Sequence, residues 1–361
     1  MLLLSAYGDA LGADHESQRE IHATPLPIQL PEQILAAEPD PWQYWATTFQ
    51  LNSPVKGLTT DDTAFKLFLL HPWLEKVLNG SSSFDENGFR KFLVELRFSD
   101  VQPAWLRSPR DGQIESWLDM YRAAEIPEAS GFFGPKVPII FGLFMFLELA
   151  AFRTDYSPVE NYLYFRDFTV LDQSYARSAT GFFIAITSAA FDSNPADQFD
   201  EWMLRESQAL AEELLANDVD VEDMSTILQL VKSMTELGRS LQDQTPHEFL
   251  VAFEAAVVEC AQPPFMDSSF EGAVFDPLRM LAEMYAAAAY AAGDPVRAIR
   301  PLAFGSGDSD TVCSLFGILL GIWFGENALR RHTKLNADLA VVERLLHQTF
   351  DVDLDQHVAL F

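Results

Sequence analysis

Residues 305–328 have the sequence GSGDSDTVCSLFGILLGIWFGENA, a short polar turn followed by a long apolar stretch. From residue 312 to 328 the apolar residues recur at spacings of three and four, which is the pattern of a helix facing a core. Alternation with a period of two is nearly absent from the chain, which argues against strands. Eight further stretches have the helical spacing: 64–78, 137–152, 176–191, 200–217, 225–241, 246–260, 276–292 and 336–350. The sequence therefore predicts an all-α fold.

Nothing in the sequence divides the chain into parts. The stretches 24–58, 80–84 and 99–111 are predicted loops because Pro, Gly, Ser, Gln and Asp are concentrated there. None of them is long enough to act as a linker between domains, and we find no internal repeat. Hydrophobic residues make up 48% of the 361 residues, which is ample for one large core. We predict a single domain over residues 1–361.

The chain is strongly acidic, with 53 Asp and Glu residues against 24 Lys and Arg residues and a formal charge of -29. Such a surface repels phosphate backbones, so a nucleic-acid partner is not expected. Solubility alone would explain the charge, and attraction for a basic protein partner is the alternative.

Targeting features are also missing from the sequence. The longest apolar stretch, 137–152, contains Glu148 and is shorter than a membrane span, so no membrane association is expected. Residues 1–6 are apolar but lack the basic flank of a signal peptide. Cys260 and Cys313 form neither a disulfide framework nor a zinc motif. We therefore expect a cytoplasmic protein in a reducing compartment.

Three short polar stretches each concentrate carboxylates and hydroxyls in a predicted turn beside a long apolar helix. They are Gly8-Asp9-Ala10-Leu11-Gly12 followed by Glu16, Thr59-Thr60-Asp61-Asp62-Thr63, and Gly305-Ser306-Gly307-Asp308-Ser309-Asp310-Thr311. Taken singly, the second and third have a simple explanation. Ser and Thr cap helix N-termini, and Asp in a first turn complements the helix dipole.

Taken together, the stretches favour a metal site. Asp61 and Asp62 are adjacent, and only one residue separates Asp308 from Asp310, so like charges are crowded. In a non-helical turn, residues i and i+2 can point to the same side, unlike in a helix. Clustered carboxylate and hydroxyl oxygens suit Mg²⁺ or Mn²⁺, and no His or Cys has the spacing of a zinc site. We expect two divalent cations, Mg²⁺ or Mn²⁺.

The order of these motifs resembles the ADP-ribosylglycohydrolase family, including the dinitrogenase reductase-activating glycohydrolases. The resemblance implies a single compact orthogonal multi-helix domain with two Mg²⁺ or Mn²⁺ ions. It also implies that Glu16 joins the metal centre and moves when substrate enters. The third motif usually has the sequence Gly-Gly-Asp-Thr-Asp-Thr, from which Ser306 and Ser309 depart. The metal ligands that the resemblance implies are Thr60, Asp61, Asp62, Asp308, Asp310 and Thr311.

The substrate-contacting part of the family pattern is altered in this chain. Family members commonly have an Asn-Gly…Met-Arg…Pro segment near the ADP-ribose, and its best counterpart is 130–138, SGFFGPKVP. The resemblance assigns substrate contacts to Ser130, Gly131, Phe132 and Lys136. Core packing is the alternative for Phe132, and a plain surface charge for Lys136. Substrate preference stays open.

The activity implied is hydrolysis of the glycosidic bond between ADP-ribose and a modified protein side chain. The cations would orient the ribose hydroxyls while a carboxylate accepts a proton from water. The catalytic residues expected are Glu16, Asp61 and Asp308, with either Asp61 or Asp308 as the base. The partner is then an ADP-ribosylated protein. The alternative is an immunity-type protein that binds and neutralises an ADP-ribosyltransferase toxin, with or without hydrolase activity.

Overall fold

The structure is a computed structural model that describes residues 1, 5, 8, 9, 66, 70–85, 88, 89, 91, 92, 143, 146–168, 175–193, 198–260, 276–303 and 308–325. In this part of the chain every regular element is helical and no strand occurs. The all-α fold predicted from the sequence is therefore confirmed.

The helices are numbered here along the chain. Those with described bounds are α1 (His71–Leu78), α2 (Pro158–Phe168), α3 (Tyr175–Ala189), α4 (Phe199–Ala216), α5 (Val221–Ser240), α6 (Pro246–Cys260), α7 (Pro277–Ala291), α8 (Pro295–Ala303) and α9 (Ser309–Phe324). Two 3-10 helices, Leu147–Phe152 and Ala190–Asp192, precede α2 and follow α3.

The predicted helices agree closely with α3, α4, α6 and α7, and the predicted loop 80–84 is a turn. Three boundaries differ by three or four residues: α5 begins at Val221 and α9 at Ser309, each earlier than predicted, and α9 ends at Phe324 rather than at residue 328. The stretch predicted as a helix over 137–152 ends as the 3-10 helix. The predictions for 24–58, 99–111 and 336–350 lie outside the described residues.

Two helices, α2 and α8, were not predicted from the sequence, and each begins with a proline. Proline is tolerated at the first helical position, where the N–H group has no partner within the helix. Before α2, the Ser157 N–H donates to Glu160 Oε2 at 2.9 Å and the Glu160 N–H to Ser157 Oγ at 3.3 Å. This reciprocal pair is a capping box, and the Ser-x-x-Glu spacing in the sequence would have indicated it.

The core is built around α7 and α9. Residues 309–321 of α9 are all buried, so this helix is surrounded by protein on every side. The alanines of α7 permit close packing of α5, where Gly238 lies against the α7 backbone. A Cβ atom at Gly238 would stand 2.1 Å from the Ala286 carbonyl oxygen, so only glycine fits there.

The C-terminal end of α9 is fixed by aromatic packing. Trp323 lies 4.7 Å from Trp202 and 5.5 Å from Phe199, measured between ring centroids, and both partners belong to the start of α4. Because α9 is anchored at that end and buried along its length, its N-terminus is a rigid platform for side chains. Among the helices described, none has the length and apolarity needed to cross a bilayer.

Candidate metal centre

The third polar stretch forms the N-terminus of α9. Ser309, Asp310 and Thr311 belong to the first helical turn, so our expectation that all of them lie in the preceding turn was wrong. Polar residues at this position do not prevent a helix, because first-turn N–H groups need no partner within it. Asp308 immediately precedes the helix and has φ -84° and ψ 65°, so its backbone is not helical and its side chain is not restricted to the direction of a helical residue. Its carboxylate can therefore still converge with that of Asp310.

Asp308 does not cap α9 with its side chain. Elsewhere in the structure aspartates do cap the helices that follow them. Asp276 Oδ1 accepts from the Leu278 N–H at 2.7 Å, and Asp294 Oδ1 accepts from the Val296 N–H at 2.9 Å. Helix capping, the simple explanation for an aspartate at this position, therefore does not account for Asp308.

Asp310 and Thr311 place side-chain oxygen atoms in the first turn of α9. Oδ1 of Asp310 accepts a hydrogen bond from the Thr311 N–H at 2.9 Å. The two residues are only 2% and 6% exposed. Carboxylate and hydroxyl oxygens held at a nearly buried helix end are the kind of donors that a hard cation binds.

The first polar stretch packs directly on α9. Ser5, Gly8 and Asp9 have helical backbone conformation, so our expectation of a turn at Gly8 and Asp9 was wrong. A Cβ atom at Gly8 would stand 1.8 Å from the Cys313 carbonyl oxygen, so only glycine permits this contact. The adjacent Asp9 is fully buried. The contact brings the first motif to the first turns of the helix that carries the third.

The electrostatics around Cys313 show how negative this region is. Burial raises the pKa of the Cys313 thiol well above its usual range, and the carboxylates of Asp310, Glu283 and Asp9 raise the pKa further. These three acids come from three different segments, and each acts on the sulfur at a distance. A bound cation would reduce the repulsion among them.

Glu283 on α7 was not predicted from the sequence. Burial raises the pKa of its carboxyl group to about 7, and nearby Glu254 raises it as well, while Arg279 opposes both. Arg279 Nε lies 3.3 Å from Glu283 Oε1, and Nη2 lies 2.5 Å from Glu254 Oε1. Arg279 and Glu283 are the only charged residues of α7, four positions apart, and that isolated pair was the available sequence signal.

A second group that was not predicted is a buried polar cluster of Ser5, Lys66, Glu148 and Ser314, called here the Lys66 cluster. Lys66 Nζ donates to Ser5 Oγ at 2.5 Å and to Ser314 Oγ at 3.2 Å, and it lies 3.0 Å from Glu148 Oε1. The Ser5 and Ser314 hydroxyls are 2.6 Å apart. All four residues are at most 3% exposed. Lys66 and Glu148 each interrupt an apolar stretch of the sequence, which could have drawn attention to them.

The remaining predicted site residues lie outside the described part of the chain. They are Glu16, Thr60, Asp61, Asp62, Ser130, Gly131, Phe132 and Lys136. Within the part that is described, no three His, Cys, Asp or Glu side chains are close enough together to hold a metal ion. The structure thus places half of the predicted ligands, Asp308, Asp310 and Thr311, at one helix end.

A surface pocket of about 470 Å³ has a different character. It is lined by Lys76, Lys91, Ser81, Ser82, Ser83, Gly80, Gly88 and Phe92, and no predicted site residue contributes to it. Lysines repel cations, so this pocket is unsuited to Mg²⁺ or Mn²⁺. The acidic N-terminus of α9 is the better candidate for the metal centre.

Comparison with known proteins addresses the family. No individually curated protein matches the sequence. The sequence does match the protein family described as ADP-ribosylglycohydrolase over residues 1–356, which is essentially the whole chain. The chain therefore belongs to the ADP-ribosylglycohydrolase family of hydrolases.

Proposed function

We propose that the protein hydrolyses, with the help of divalent cations, the glycosidic bond that links ADP-ribose to a modified protein side chain. The observation that carries the proposal is Asp308, a nearly buried carboxylate at the start of α9 whose side chain does not cap that helix. Membership of the ADP-ribosylglycohydrolase family supports the reaction class.

The donor set fits a pair of hard cations. The family generally depends on a dinuclear metal centre. Asp308, Asp310 and Thr311 offer only oxygen atoms as side-chain donors, and all three residues are nearly buried. Oxygen-only donors suit Mg²⁺ and Mn²⁺ rather than zinc. The other ligands in this proposal are Thr60, Asp61 and Asp62.

The chain's own residues would divide the work at the site. Bound cations supply positive charge that orients the ribose hydroxyls and stabilises charge where the bond breaks. The buried helix α9 holds its carboxylates rigidly, which favours a reproducible orientation of the sugar. Asp308 or Asp61 would accept a proton from the attacking water, and Glu16 would complete the centre. Residues 130–138, with Ser130, Gly131, Phe132 and Lys136, would contact the ADP-ribose.

The first experiment tests whether the protein hydrolyses an ADP-ribosylated side chain. The protein is incubated with peptides ADP-ribosylated on Arg or on Ser, with Mg²⁺, with Mn²⁺ and with chelator, and released ADP-ribose is measured. We expect release from at least one peptide only when a cation is present. The Asp310→Asn variant should keep its fold and lose at least ~100-fold of the activity, as disturbed metal sites do. Undiminished release in chelator would refute the proposal.

A second experiment separates metal ligation from helix capping. Asp308→Ala is compared with Asp294→Ala, whose parent carboxylate does cap α8, and unfolding is measured in chelator. Loss of the Asp294 cap should lower the free energy of unfolding by about 1 kcal/mol. Asp308→Ala should lower it by clearly less, because no helix cap is lost and repulsion with the neighbouring carboxylate is relieved. A loss as large as that of Asp294→Ala would support the capping role instead.

The second candidate function is neutralisation of an ADP-ribosyltransferase toxin by direct binding. The formal charge of -29 favours it, since such a charge opposes the approach of anionic ADP-ribose but attracts a basic protein. Binding to a basic transferase should then have an on-rate that falls steeply with ionic strength. Asp310→Asn should still bind. Failure to bind any transferase, with full activity on modified peptides, would exclude this candidate.

A further inference from the structure

The Lys66 cluster brings together segments that are far apart in the sequence. Ser5 precedes Asp9 by four residues, Lys66 follows Asp62 by four, and Ser314 follows Asp310 by four. Ser314 lies on α9, where four residues is about one helical turn, so its hydroxyl is about one turn from the Asp310 carboxylate. The cluster therefore joins the three motif-bearing segments at one buried point.

The ammonium group of Lys66 contacts three other segments. It donates hydrogen bonds to the Ser5 and Ser314 hydroxyls, and Glu148 Oε1 lies 3.0 Å from it. The approach to Glu148 is an ion pair rather than a directed hydrogen bond, since neither carboxylate oxygen accepts a hydrogen bond in the described structure. Lys66 is only 1% exposed, so its position is fixed by these partners and by the core.

Stability alone does not account for such a cluster. Burying an ion pair costs desolvation free energy, and well-packed apolar residues of similar size are often as stable or more stable. A directional network instead specifies how the segments are arranged relative to one another. Here the segments are those that carry the candidate ligands, and ligand positions within ~0.5 Å matter for a metal site.

We infer that Lys66 is a positioning residue for the metal centre, whose ammonium group fixes Ser5 and Ser314 and thereby sets the affinity for divalent cations. This inference rests on the proposed function, because it requires that the motifs bind metal. It adds a role for residues that would not themselves touch metal or substrate. Glu148 balances the lysine charge, so that the cluster contributes little net charge to the acidic site.

The experiment measures Mn²⁺ affinity directly, from the signal of free Mn²⁺ in electron paramagnetic resonance titrations. Ser314→Ala removes one acceptor, and Lys66→Met with Glu148→Met removes the ion pair at similar volume. The matched control is Ser207→Ala, because Ser207 is also fully buried and its hydroxyl bridges α4 to Tyr285 of α7. Circular dichroism and denaturant unfolding show which variants fold.

We expect Ser314→Ala and the double variant to lose ~10- to 100-fold in Mn²⁺ affinity, the effect of disturbing groups that orient ligands. Ser207→Ala should lose stability but keep wild-type affinity. In hydrolysis, Ser314→Ala should need a higher Mn²⁺ concentration for half-maximal rate and approach wild-type kcat at saturation.

The inference is overturned if Ser314→Ala or the double variant folds and binds Mn²⁺ as tightly as wild type. Failure of the double variant to fold leaves Ser314→Ala to decide. Equal affinity losses in Ser314→Ala and Ser207→Ala would also overturn it, since the effect would then be general softening of the core. If the wild-type protein binds no Mn²⁺, the proposed function is refuted. If the wild type binds Mn²⁺ and the variants bind it equally well, only the role of the Lys66 cluster is refuted.

Discussion

Replacing Gly8 with alanine tests whether the first motif is placed by its contact with α9. The new Cβ atom would stand 1.8 Å from the Cys313 carbonyl oxygen and 2.8 Å from Ser314 Cα. Real Cβ atoms essentially never approach closer than 3.0 Å, so the two backbones must separate by at least 3.0 − 1.8 = 1.2 Å. Both atoms belong to backbone, so no side-chain rotation can relieve the overlap.

The expected loss of stability is about 1–3 kcal/mol, the usual cost of overpacking a core. Without the overlap, replacing a helical glycine with alanine would stabilise the protein by about 1 kcal/mol. A net loss of stability would therefore be due to the overlap of the new Cβ atom with α9. A shift of this size at a ligand-bearing segment exceeds the tolerance of a metal site. We therefore also expect Mn²⁺ affinity and hydrolysis to fall about 100-fold.

Gly238→Ala is the matched control, because its Cβ atom would stand 2.1 Å from the Ala286 carbonyl oxygen at the packed α5–α7 contact. Denaturant unfolding in chelator should show comparable destabilisation for both variants, and only Gly8→Ala should lose Mn²⁺ affinity. If Gly8→Ala is destabilised but binds Mn²⁺ as wild type does, the contact with α9 does not position the site.

Three further predictions concern charge and chemistry. The pKa of Glu283 is raised from 4.5 to about 7 in the folded protein. The free energy of unfolding should therefore be highest below pH 4.5, and about 3 kcal/mol of it should be lost as the pH rises to 7, where Glu283 becomes charged in the folded protein. Glu283→Gln should therefore weaken this pH dependence in chelator-treated protein, and identical pH profiles for wild type and variant would contradict the assignment. Mg²⁺ or Mn²⁺ at 100 times its dissociation constant should raise the stability of the wild type by about 2.7 kcal/mol, measured by thermal melting. Asp308→Asn removes a proposed ligand, so the same cation concentration should leave the melting temperature of this variant unchanged. In the native protein, Cys313 should resist alkylation because its thiol is buried and has a raised pKa, whereas half-buried Cys260 should be modified slowly. Rapid alkylation of both thiols would show that α9 opens easily.

The helices could be predicted because their signals are local. The spacing of apolar residues indicates which face of a segment enters the core, and α6 was placed at its observed bounds in this way. The errors arose at helix ends, where polar residues are compatible with either a turn or a first helical turn. Ser309, Asp310 and Thr311 are of this kind, and the sequence alone does not show that the helix begins at Ser309.

The candidate site was predictable only as far as its ligands are adjacent in sequence. Asp308 and Asp310 drew attention because two like charges stand next to a single apolar stretch. The Lys66 cluster, in contrast, joins residues separated by at least 61 positions, and nothing in one sequence pairs them. Glu148 was noted only as a charge that argues against a membrane span. The roles of Thr60, Asp61 and Asp62 stay predictions.

The N-terminus of α9 explains how the chain can hold two carboxylates, those of Asp308 and Asp310, at one helix end. Aligned peptide dipoles put about half a positive charge at that end, which favours nearby anions such as Asp308 and Asp310. Because α9 is buried, solvent screens this effect weakly. The dipole offsets part of the repulsion between carboxylates but cannot saturate their oxygen atoms. The helix dipole thus favours the carboxylates of Asp308 and Asp310 in the folded protein, and in the proposed centre a divalent cation would bind their oxygen atoms.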